Sequence, residues 1–120
     1  MMETRVVIYA RVSTAGQDYE RQLSELREYA SRMGYEVVKE FSEKISGAKR
    51  IAERDALTNL LNYVKHNKVN KILIYECSRL SRRAVDFLQI TELLTEHGIS
   101  IYIHQNGLET LQKDGNVNPI

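Results

Sequence analysis

The sequence is short of several things, and each shortage removes a class of protein. It holds one cysteine, Cys77, and no tryptophan. A lone cysteine excludes an internal disulfide and fits a reducing compartment. Cys77 follows an apolar run, so a packed, inert thiol is expected there. Neither sign of charge predominates: 17 Lys and Arg stand against 16 Asp and Glu, a net charge of +1. No global positive field therefore advertises a polyanion partner, and any such footprint must be local or lie outside this chain. No apolar run approaches bilayer length, and the N-terminus lacks the apolar centre of a signal peptide, so no membrane partner and a cytoplasmic location are expected. Repeats and low-complexity segments are missing as well. The three histidines, His66, His97 and His104, show no metal-ligand spacing, and no tight acidic pair sits at a strand end, so no metal is expected. There is no nucleotide-triphosphate phosphate loop and no dinucleotide fingerprint, so no cofactor is expected either.

What is present fits one compact domain of 120 residues, 42% apolar and 28% charged, large enough to bury a core without staples. Four apolar runs read as strands: Val6 to Val12, Glu36 to Phe41, Lys71 to Tyr75 and Ser100 to His104. They are mostly continuous rather than alternating, as strands covered on both faces are. Three stripes at helical spacing lie between them: Leu23, Leu26, Ala30 and Met33; Ala56, Leu57, Leu60, Leu61 and Val64; Ala84, Phe87, Leu88, Thr91 and Leu94. Gly34 and Gly98 fall where left-handed C-caps are wanted. The alternation predicts an α/β fold, a three-layer α/β/α sandwich with a mainly parallel sheet and right-handed crossovers. Glu43 to Arg54 reads as a long polar loop of the kind that is often functional. Asn118 and Pro119 make a good helix start at the end of the chain, so residues 1–120 are expected to be the first part of a longer protein.

In open α/β sheets the ligand site lies beyond the carboxyl ends of the strands. The first strand delivers Arg11 and Ser13 to that edge, and the third delivers Ser78, Arg79, Ser81 and Arg82; Arg54, closing the polar loop, could join them. Hydroxyls form covalent intermediates when activated by a neighbour, and guanidiniums grip phosphate oxygens in a planar fork. Taken singly, Ser13 could be a helix cap and each arginine a solvated charge. Two clusters at two strand ends point to phosphate chemistry. The tyrosines read as core packing rather than base stacking.

Several of these segments resemble one family. Tyr9, Arg11, Val12, Ser13, Thr14 and Gln17, with Gln22 five residues later, resemble the N-terminal signature of serine recombinases, the resolvases and invertases. Phe41 to Gly47 resembles the lead into that family's mobile loop, Arg54 to Leu57 its closing arginine and leucine-led helix, and Ser78 to Arg82 its paired-arginine motif. The resemblance implies a resolvase-like fold and a site-specific DNA recombinase. Ser13 would attack a DNA phosphodiester, giving a 5′-phosphoserine link and a free 3′ hydroxyl. Arg11, Arg54, Arg79 and Arg82 would hold the phosphate, with Gln17, Gln22, Ser46 and Ser78 in support. Neither metal nor other cofactor would be needed. The implied partners are DNA and further copies of the protein, from dimer to synaptic tetramer, through a long dimerisation helix and a DNA-binding region beyond residue 120.

Two departures stand out: Ser78 occupies a position where the family often has Asp, and Glu43 one where Asp is common. Two other readings compete. Ser13 to Gly16 after a first strand also resembles a flavodoxin-type phosphate loop, which would make the protein a flavin-binding electron carrier. Alternatively, the chain is a resolvase-like scaffold silenced by Ser78.

Overall fold

A computed structural model describes residues 4–13 and 19–111 of the chain. Its centre is β1 (Arg5–Val12), buried from Val6 onward. The unbroken apolar run forces this position, because only an interior strand can bury both faces. Strands β2 (Glu36–Lys44), β3 (Lys71–Ile74), β4 (Ser100–Ile103) and β5 (Leu108–Glu109) complete the sheet in the order β2-β1-β3-β4-β5. The first four are parallel, and β5 pairs antiparallel with β4.

Alternation along the strands sorts side chains into two cores. Val6, Ile8 and Ala10 face helix α1 (Glu20–Met33), which brings Leu23, Leu26 and Ala30. Val7 and Tyr9 face the opposite side, with Ile72, Ile74, Ile101 and Ile103. There they meet Leu57, Leu60 and Val64 of α2 (Asp55–His66), Leu80 of the short α3 (Cys77–Leu80) and Ile90 and Leu94 of α4 (Ala84–Glu96). One helix thus covers one face and two long helices the other. Gly34 and Gly98 take φ values of 73° and 70° at the ends of α1 and α4, as the C-cap expectation required. Among the described residues no helix is long and apolar enough to cross a membrane.

The three-layer, mainly parallel fold agrees with the sequence, while several details differ. Strand β2 runs to Lys44 rather than Phe41, because its pairing with β1 continues through Arg11–Glu43 and Val12–Lys44. It is a half-buried edge strand rather than one covered on both faces. The expected loop from Glu43 to Arg54 therefore shrinks, and Ile51–Glu53 forms a 3-10 turn within it. Met33 and Leu88, counted in helical stripes, are exposed; Leu88 lies with Val85 on the outer side of α4. Cys77 is exposed rather than packed, since β3 ends at Ile74 and Cys77 opens α3.

Candidate active site

Arg11 lies two residues beyond Tyr9 on the same side of β1, so alternation aims both toward α2, α3 and α4. Its side chain is fully buried. Its guanidinium ties together the ends of β1 and β2 and the short helix α3. Nη1 donates to Ser13 Oγ at 2.9 Å and to the Ile45 carbonyl at 2.9 Å. Nε donates to the Arg79 carbonyl at 3.0 Å, and Nη2 to the Ser78 carbonyl at 2.5 Å. Burial pulls this guanidinium well below the usual range, to about 10, and the Arg54, Arg82 and Arg79 cations act in the same direction while Tyr9 opposes them. An N–H held against a serine oxygen stabilises negative charge that develops there.

Arg54, at the start of α2, is also fully buried. Nη2 donates to the Tyr9 hydroxyl at 2.5 Å and to the Arg79 carbonyl at 3.1 Å. Its Nε stands 3.6 Å from Glu43 Oε2, and the Tyr9 hydroxyl donates to the same carboxylate. Glu43 also accepts the Ala56 and Leu57 amides at 3.1 and 3.2 Å. A strand residue thereby supplies the cap that the first turn of α2 lacks, with a negative charge at the positive end of the helix. Burial first, and Glu43 with it, raises the Tyr9 phenol, against the pull of Arg54. Arg54 Nε and Nη1 and Arg79 Nε are buried with no hydrogen-bond partner, so the site holds spare donors.

The other two arginines lie nearer solvent. Arg79 keeps 20% of its side chain exposed and pairs through Nη2 with Glu76 Oε1 at 3.1 Å. Arg82 is exposed, and its main-chain amide donates to the Gly47 carbonyl at 3.1 Å. The four expected arginines therefore converge as an inner pair, Arg11 and Arg54, and an outer pair, Arg79 and Arg82. The inner pair spends much of its hydrogen bonding on the protein itself.

Gln22, buried on α1, brackets the Arg11 main chain: its Oε1 accepts the Arg11 amide at 3.3 Å and its Nε2 donates to the Arg11 carbonyl at 3.1 Å. It thus holds the strand two residues before Ser13. Ser13 does not cap α1, whose N-cap is Tyr19. Ser46 Oγ accepts the Ala48 amide at 3.2 Å within its own turn. Ser78 Oγ donates to Glu76 Oε1 at 2.8 Å. Gln17 and Thr14 lie outside the described residues. Sequence reasoning missed Gly47, Glu76 and the roles of Tyr9 and Glu43. The two acidic residues carried a usable signal, since a cluster of cations needs counter-charge. Of the histidines, His66 and His97 are exposed and His104 is half-buried. Among the described residues no group of three or more His, Cys, Asp or Glu is placed to hold a metal ion.

Fold and site together define the class: a parallel α/β domain with a serine and four arginines at the carboxyl edge of its sheet. The family described as "Resolvase, N terminal domain" matches residues 6–117, and the chain belongs to that family. It is 35% identical over 96 residues to a resolvase of Clostridium perfringens, covering 80% of this chain and 47% of the relative. It is 29% identical over 102 residues to the transposon Tn917 resolvase of Enterococcus faecalis, covering 85% of this chain and 50% of the relative. Among solved structures it resembles the N-terminal catalytic domain of TP901-1 integrase, with a TM-score of 0.83, 32% identity, and coverage of 93% of this chain and 85% of that one. The chain spans about half the length of the curated relatives it matches. Nothing in these likenesses favours the flavin-carrier reading.

Proposed function

We propose that the chain is the catalytic domain of a site-specific DNA recombinase with Ser13 as its nucleophile. Family membership supports the reaction class, and the observation that carries the assignment of Ser13 is the 2.9 Å bond from Arg11 Nη1 to its Oγ. In this reading Ser13 Oγ attacks a DNA phosphorus. The Oγ–P bond forms, the bond from phosphorus to the 3′ oxygen breaks, the serine loses its proton and the 3′ oxygen gains one. The phosphoserine keeps the bond energy for rejoining by the reverse step. Arg79 and Arg82 grip the non-bridging oxygens; Arg11 and Arg54 hold the frame and offset the growing charge. Gln22, and Gln17 with it, orient the chain around the nucleophile, and Ser46 and Ser78 support the loops. The length of the relatives supports a whole protein in which further segments supply dimerisation, tetramer synapsis and most DNA affinity, which comes mainly from phosphate contacts.

The test uses the full-length protein on a plasmid carrying the DNA that flanks its gene, with cleavage trapped by denaturation. The expected product is a protein–DNA adduct through Ser13, absent in Ser13→Ala while folding and DNA binding persist. An adduct in the alanine variant removes Ser13 as nucleophile. If the wild type makes none, the protein is a silent scaffold.

A further inference from the structure

Glu76 has no role in the reading above, yet it touches the arginine motif twice. It precedes α3 with an extended backbone, φ −150° and ψ 163°, and its carbonyl accepts the Arg79 amide at 3.0 Å. Its Oε1 takes the Ser78 hydroxyl at 2.8 Å and faces Arg79 Nη2 at 3.1 Å. The side chains of Arg79 and Glu76 are 20% and 28% exposed, so the pair is mostly shielded from water.

We propose that Glu76 is a positioning residue that fixes the Arg79 guanidinium for phosphate, with the Ser78 hydroxyl locking the carboxylate in place. This rests on the recombinase reading of the site. A free arginine side chain carries rotamer entropy that binding would have to remove. Glu76 removes it beforehand by holding one edge of the fork. The Arg79 main chain is already fixed, since its carbonyl accepts Arg11 Nε and Arg54 Nη2. Backbone and guanidinium are then both set, and Nε remains a buried donor without a partner. Glu76 also places a negative charge beside Arg79, one of four converging cations. The Ser78 hydroxyl is spent on Glu76, so Ser78 is an internal strut rather than a phosphate ligand.

The Ser78 hydroxyl lies 2.8 Å from Glu76 Oε1, so an aspartate at 78 would set a second carboxylate against the first. In the full-length protein on the flanking-DNA plasmid, Glu76→Gln should slow adduct formation about ten- to a hundredfold, the scale of a charge-assisted hydrogen bond. Glu76→Asp should recover part of that rate. Ser78→Asp alone should also slow the reaction, through carboxylate repulsion, whereas Ser78→Asp combined with Glu76→Gln should restore it. A rate for Glu76→Gln within twofold of wild type, or a loss that neither Glu76→Asp nor the double variant relieves, overturns the proposal. A second readout needs no DNA: nitrogen-15 spectra of the Arg79 side chain should show slow rotation of its Nη groups in the wild type and fast rotation in Glu76→Gln. Equal rotation in both overturns the proposal. If the wild type forms no adduct, the recombinase reading fails, and the spectra decide the role of Glu76 alone.

Discussion

Gly47 lies so close to Arg11 that a β-carbon on it would stand 2.8 Å from Arg11 Nη2 and 2.9 Å from Cζ. A glycine is required by space here rather than by backbone angle, since Gly47 is not among the glycines of positive φ. Arg11 cannot step aside cheaply, because the Ile45, Ser78 and Arg79 carbonyls hold it. Gly47→Ala should therefore cost about 1–3 kcal/mol through overpacking, and should move Nη1 off Ser13. Denaturant unfolding reads the first effect and adduct formation in the full-length protein the second; a variant unchanged in both would show that the contact is slack.

Arg54 should behave as structure and the outer pair as chemistry. Arg54→Ala leaves Glu43 and the Tyr9 hydroxyl without their cation, a loss of about 3–5 kcal/mol for a buried partner. In a Glu43→Gln background the same change should cost less than half as much, because the two residues share one network. Urea midpoints of the four proteins in this cycle give the comparison, and additive losses would separate the two residues.

Arg82→Ala should leave stability within about 0.5 kcal/mol, as exposed substitutions do, while slowing DNA cleavage. Arg79→Lys should fail almost as badly as Arg79→Ala, because an ammonium offers a point charge and not a fork. Single-turnover adduct rates decide this, and full activity in the lysine variant would remove the bidentate argument.

Arg27 on α1 and Glu40 on β2 form a two-pronged pair at 2.6 and 2.7 Å. Hydrogen bonding to Arg27 holds the Glu40 carboxyl below its ordinary value of 4.5, against a smaller opposing effect of burial. The lowered value sets the sign: the pair stabilises the fold above about pH 4.5, and that contribution fades as pH falls through the folded value. Being partly exposed, it is worth about 0.2–1 kcal/mol. Glu40→Gln should thus be less stable than wild type at pH 7, and the difference should shrink as pH falls below about 4.5, by urea midpoint.

The architecture was legible because it rests on local pattern. The continuous run from Val6 marks an interior strand, and Gly34 and Gly98 mark helix ends. Much of the site was legible because Ser13, Arg11, Arg79 and Arg82 lie at strand ends. What was not legible depends on contacts distant in sequence. Nothing near Arg54 reveals a fully buried guanidinium, since its partners Tyr9 and Glu43 sit on two strands distant from it in sequence. Glu43 looked like loop because charged residues are uncommon in strands; here its carboxylate has helix amides and a hydroxyl to face. The edge strand β5 is two residues long, too short for any periodicity. Cys77 read as core because it follows an apolar run, but the chain turns into α3 at that point.

The bonds made by Arg11 reach across 34, 67 and 68 residues, to Ile45, Ser78 and Arg79. Such contacts can form only once the long loops between them have closed. Until α3 docks beside β1, this cation lacks the Ser78 and Arg79 carbonyls that help hold it against Ser13. On the proposed reading, a partly folded chain would carry the nucleophile without the means to use it. If the chain cuts DNA as proposed, its competence to do so is tied to the docking of distant segments, and a chain that has not finished folding would be harmless to DNA.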